Sequence, residues 1–163
     1  MALHTPLCDL LNIEHPILLA GMGGVSYAPL AAAVSNAGGY GVLGMAGTTP
    51  EFIRDQMRQV RTLTDRPFGV DLLAATPDAL TDSVEVIIEE GASSFIAGLG
   101  VPMPIIARLK AAGLKVMVVC GAVKHAVKAE QAGCDAVIVT AGGVVTPSGT
   151  VTHAVPLWSS GST

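Results

Sequence analysis

Charge is scarce in this chain. Only 13% of its 163 residues are Asp, Glu, Lys or Arg, with a net charge of −4. No basic patch is present, so nucleic acid is not an expected partner. Long hydrophobic runs are also missing, although half of the residues are hydrophobic and the mean hydropathy is +0.57. The apolar residues come in short runs such as Ile17–Ala20 and Val116–Cys120. None approaches the roughly 18 apolar residues of a membrane span, and strands buried on both faces read in this way. No membrane association is therefore expected. Cysteine is sparse. Cys8, Cys120 and Cys134 have no metal-ligand spacing and leave an odd thiol, so no metal site and a reduced, cytoplasmic setting are expected. The first residues lack the basic start and long apolar stretch of a signal peptide.

What is present is a repeated unit of apolar strand, glycine-marked turn, amphipathic helix and glycine. Six strands are predicted, over His15–Ala20, Tyr40–Gly44, Pro67–Leu73, Ser94–Ala97, Lys115–Cys120 and Asp135–Val139. Between them lie helices over roughly 27–37, from Thr49-Pro50-Glu51, from Thr76-Pro77-Asp78 to Gly91, over roughly 102–112, and over roughly 122–132. A short helical turn over Thr5–Leu11 precedes the first strand. Such alternation builds a parallel sheet with helices outside it. It places the chemistry at the carboxyl ends of the strands. After about Thr140 the pattern stops. Residues 140–163 show no helical period and are expected to form a divergent, loosely ordered tail.

Alternation alone fits both an open doubly wound sheet and an eight-stranded barrel. The first turn, Gly21-Met22-Gly23-Gly24, lacks the G-x-G-x-x-G spacing and no phosphate-loop lysine follows it. Length favours the open sheet, since a barrel typically needs about 250 residues.

Family resemblance reverses that choice. The segments Pro16–Val25 and Leu30–Gly44, the strand Pro67–Leu73, and the segments Gly121–Ala126 and Glu130–Val139 resemble the nitronate monooxygenases, FMN-dependent TIM-barrel enzymes. The resemblance covers roughly residues 5–139 and is shared with the flavin-dependent enoyl-ACP reductases. It implies an incomplete (β/α)8 barrel of about six strand–helix units over residues 1–139. It also implies a flavin-dependent oxidoreductase that oxidises alkyl nitronates with O2 to a carbonyl compound and nitrite. The enoyl-reductase resemblance offers NAD(P)H-dependent chemistry instead, and a non-catalytic barrel fragment is a third reading.

In the family the sixth strand continues into Gln-Gly-Thr-Glu-Ala-Gly-Gly-His-Thr-Gly, whose histidine is the proposed base. Here Thr140 stands for the glutamine, Gly142 and Gly143 align, and Val144-Val145-Thr146-Pro147 replaces the histidine segment. No catalytic residue is therefore assigned. The seventh and eighth strands, which carry most of the flavin phosphate site in such barrels, have no counterpart. The codons of Val144–Pro147 admit a shifted reading of Gly-His-Thr, and those of Val155–Thr163 admit Pro-Ala-Val-Val-Val-Gly-Val-Asp. A truncated or frameshifted chain after about residue 139 is the resulting expectation, with self-association through open sheet edges.

The candidate FMN-binding residues are Gly21, Met22, Gly23, Asp71 and Lys124. Gly21-Met22-Gly23 follows the first strand, where glycine lets the backbone approach a flat cofactor. It equally suits a plain strand–helix turn. Asp71 lies between apolar neighbours at a position where the family often has Asn against the flavin. An acid there is costly unless partnered, and a structural acid is the competing reading. Lys124, just past the fifth strand, suits a phosphate or a ring oxygen, or else a solvated helix surface. His125 reads as a surface residue, His153 lacks the family context, and Cys120 reads as buried packing.

Overall fold

The computed structural model describes residues 3–74, 80–140 and 152–156. Five parallel strands, β1 (Gly41–Gly44), β2 (Phe68–Leu73), β3 (Ser94–Gly98), β4 (Lys115–Cys120) and β5 (Ala136–Thr140), lie in sequence order, each beside the next. Helices α2 (Ala28–Asn36), α3 (Pro50–Leu63), α4 (Thr81–Glu89), α5 (Met103–Ala111) and α6 (Val123–Gln131) connect them. A doubly wound sheet reverses direction at a switch point. This order never reverses, and its helices share one face. It is the incomplete (β/α) barrel that the resemblance implied.

The period of two along each strand sorts the core. Leu43, Phe68, Val70, Leu72, Phe95, Ala97, Val116, Val118 and Val137 face the helices, against residues such as Ile53, Met57, Val60, Ile87 and Leu109. Tyr40, Val42, Ile96, Met117, Ala136 and Ile138 form the inner cluster, which is covered by α1 (Pro6–Leu11) through Leu7, Cys8 and Leu11. Both faces are thus buried, which accounts for the hydropathy.

Helix α3 shows how the local sequence works. Thr49 accepts a hydrogen bond from the Phe52 amide and Pro50 takes the first turn, while Ile53, Met57 and Val60 repeat on the buried side. Helix α2 packs so closely on β1 that a Cβ at Gly41 would overlap the Ala31 carbonyl. The buried Gln56 Oε1 accepts from the Ala28 amide at 2.9 Å, satisfying a donor at the start of α2. On the inner face the buried Tyr40 hydroxyl donates to Ser94 Oγ at 2.7 Å.

Two boundaries differ from expectation. The first predicted strand, His15–Ala20, forms only a bridge between Leu18 and Tyr40, held by hydrogen bonds from the Leu19 amide to Tyr40 and from the Tyr40 amide to Ile17. Pro16 removes a donor. Among the described residues no strand flanks the other side of this segment, where Ile17 is exposed. Inside the segment 140–163, Thr152–Pro156 forms β6, antiparallel to β5. The expected helix start Thr76-Pro77-Asp78, and the remainder of the tail with Gly142 and Gly143, lie outside the described residues. No helix among the described residues is long and apolar enough to cross a membrane.

A candidate active site at the carboxyl ends of the strands

Register brings the site together. Gly44, Asp71, Ile96, Met117 and Ala136 are partners across β1 to β5 and so form one row of the inner face. Where this row meets the 16–21 segment, a cavity of about 660 Å³ opens, within the range of small-molecule sites. Gly21, Gly44, Asp71, Ile96 and Gly98 line it, and Thr5 and Leu7 close it from the N-terminal segment.

Glycine makes room for the acid. A Cβ at Gly21 would overlap the Asp71 carboxyl, and one at Gly44 would overlap the Met22 backbone. One at Gly98 would stand 3.7 Å from Asp71 Oδ1. Asp71 is the only ionisable side chain lining the cavity among the described residues. Its carboxyl makes no hydrogen bond or ion pair to any of them. Burial alone pushes it up from 3.8 to about 7, because no cation offsets the lost hydration. The site therefore holds an unpartnered acid, balanced near neutrality, in an apolar enclosure.

The other candidates fall at different distances from this point. Gly21 and Asp71 meet in the cavity. Met22 and Gly23 do not line it. The Met22 amide donates to Ser26 Oγ at 2.7 Å, and its carbonyl accepts from the Val25 and Ser26 amides, so the turn consumes the Met22 backbone groups. Lys124 is exposed in the first turn of α6 and does not line the cavity. His125 is exposed beside it. Cys120 is buried against the helix layer, not in the cavity. Burial raises its thiol pKa, and its Sγ lies 3.6 Å from the Val118 carbonyl. The His153 side chain lies outside the described residues. No group of His, Cys, Asp or Glu among the described residues is arranged to hold a metal ion.

Gly44, Gly98, Ile96 and the Thr5–Leu7 segment were not singled out from sequence. The register row would have found Gly44 and Ile96, since both sit opposite Asp71. Nothing in the sequence signals that the N-terminal segment folds over the inner face.

Residues 4–154 match the family described as nitronate monooxygenase. The chain belongs to the nitronate monooxygenase family. Members of this family are oxidoreductases. A hydroxy-methyl-oxo-octahydro-indene-carboxyl-CoA dehydrogenase of Mycobacterium tuberculosis is 44% identical over 142 residues, which cover 87% of this chain and 40% of that protein. A nitronate monooxygenase of Paraburkholderia phytofirmans is 30% identical, over 81% of this chain and 46% of its own. Among solved structures, FabK from Thermotoga maritima superimposes with a TM-score of 0.79 at 42% identity, covering 83% of this chain and 43% of that one. A nitroalkane oxidase from Streptomyces ansochromogenes gives 0.74 at 30% identity, covering 83% and 48%. The chain thus spans less than half the length of these relatives.

Proposed function

We propose that the cavity is the flavin-facing part of an oxidoreductase site, and that its reaction is the oxidation of alkyl nitronates with O2 to a carbonyl compound and nitrite. The observation that carries the flavin reading is the meeting of Gly21 and Asp71. Backbone without a side chain packs directly against an unpartnered acid, so the two form one wall of the cavity, on which a planar ring would lie. The ring fits. The phosphate of FMN has no cationic side chain in the cavity among the described residues, and Lys124 stands outside it.

When bound, the flavin supplies the two-electron redox chemistry. The chain's own residues do the rest. Gly21 and Gly44, in the cavity wall, let Asp71 and the Met22 backbone pack closely against them, and Asp71 offers a hydrogen-bonding group to the ring. Leu18, Leu73 and Ile96 exclude water, and Thr5 supplies a hydroxyl at the rim. The family histidine is absent from its position. A substrate that arrives already as the nitronate suits this chain better than a nitroalkane that must first lose a proton.

A second reading has support of its own. The identity to a CoA-ester dehydrogenase and to FabK, at 44% and 42%, exceeds that to the nitronate monooxygenases. An apolar cavity with no cation among the described residues also suits a neutral acyl substrate better than a nitronate anion. This reading is a flavin oxidoreductase coupled to NAD(P)H. Anaerobic addition of ethyl nitronate or of NADH to the flavin-loaded protein separates the two. Bleaching of the flavin by the nitronate alone supports the first, and bleaching by NADH alone supports the second.

A further inference from the structure

We propose that a flavin ring enters this cavity together with a proton held on Asp71, so that binding the ring takes up a proton from solution above neutral pH. The inference rests on the flavin reading of the cavity and goes beyond it. The argument begins with what surrounds the acid. The 5–7 and 16–21 segments and strands β1, β3, β4 and β5 present no titratable or charged side chain to the cavity among the described residues. Lys115, also on the inner face, lies two residues before the Met117 row and outside the lining. Among the described residues none donates a hydrogen bond to Asp71, which leaves solvent in the open cavity to compensate it.

A planar ring against Gly21 removes that water. A carboxylate left dry and without a cation is strongly disfavoured. The neutral acid is not, because its O–H can donate to a ring carbonyl or ring nitrogen. The free carboxyl already sits near neutrality through burial, and covering it moves the balance further toward the acid. The proton balance is simple: one carboxylate oxygen gains a proton from solvent, and no other bond forms or breaks. Asparagine carries a comparable donor at every pH, so the coupling is a property of the acid at this position.

Riboflavin is the suitable probe, because it carries the ring without a titrating phosphate. Its fluorescence quenching should give an affinity that is flat below about pH 7. Above that it should weaken by up to about tenfold per pH unit, as linkage to one proton requires. Asp71→Asn should bind with an affinity independent of pH. Calorimetry of the unsubstituted protein in two buffers of different ionisation enthalpy should show close to one proton taken up at about pH 8 and little at about pH 6. The proposal is overturned if affinity is flat or rises above pH 7, if Asp71→Asn keeps the same slope, or if no proton is taken up. Absence of quenching at every pH in both proteins would overturn the flavin reading beneath it.

Discussion

The unpartnered acid makes a prediction about stability that needs no ligand. Burial raises the Asp71 carboxyl from 3.8 to about 7. At about 1.4 kcal/mol per pH unit, that displacement corresponds to a penalty of about 4 kcal/mol on the folded state once the group is ionised in both states. Below about pH 4 the carboxyl is protonated folded and unfolded, and the penalty is absent. Between about 4 and 7 the unfolded chain has lost the proton while the folded chain keeps it, so the fold loses stability as pH rises. Above about 7 the loss is complete. Asp71→Asn carries no ionisable group. It should therefore stabilise the fold by an amount that climbs through this window and levels off. Water in the open cavity lowers the ceiling, giving an expected gain of about 2–4 kcal/mol at about pH 8. Urea unfolding followed by circular dichroism at about pH 5, 6, 7 and 8 reads this as a rising separation of midpoints, on the order of 1–2 M at the alkaline end. A separation that is constant with pH, or a variant less stable than the parent at about pH 8, would refute the reasoning.

Other expectations follow from single contacts. Gly21→Ala should destabilise by about 1–3 kcal/mol through overlap with the Asp71 carboxyl. Adding Asp71→Gly should restore much of that loss, and a double-mutant cycle with no coupling would count against the contact. Tyr40→Phe leaves the buried Ser94 hydroxyl without its donor and should cost about 1–3 kcal/mol in thermal or urea unfolding. Thr49→Ala removes the cap of α3, for about 1 kcal/mol in the same assay. Cys120 and Cys134 are buried, and their thiols are raised, Cys134 to about 11. Both should react with a thiol reagent in the folded protein far more slowly than after unfolding.

Much of the architecture could be read from the residues. Short apolar runs alternating with glycine-terminated helices located the five regular parallel strands, and Thr49-Pro50 marked the start of α3 within a residue. The choice between barrel and open sheet was not legible in periodicity, because strand order is a property of pairings distant in sequence. The motif resemblance supplied it, and the sheet order bears it out. At the site, Asp71 stood out because a carboxylate amid apolar neighbours needs a reason. Its separation from the cations of the described residues did not, since that depends on which side chains of other segments turn inward. Lys124 looked suitable from its place after β4, yet one helical step carries it to the surface. Met22 sits in the expected turn, but its backbone groups are taken by Ser26 and Val25.

The central claim is that the cavity walled by Gly21 and Asp71 receives a flavin ring. The most direct test is the visible absorption of FMN titrated with the protein at about pH 6, where Asp71 is protonated. The Gly21→Val variant, whose side chain would displace the Asp71 carboxyl and reshape the cavity wall, serves as the comparison. The account predicts a saturable change in the flavin bands with the parent protein and none with Gly21→Val. No change with the parent, or the same change with a correctly folded Gly21→Val, would contradict it.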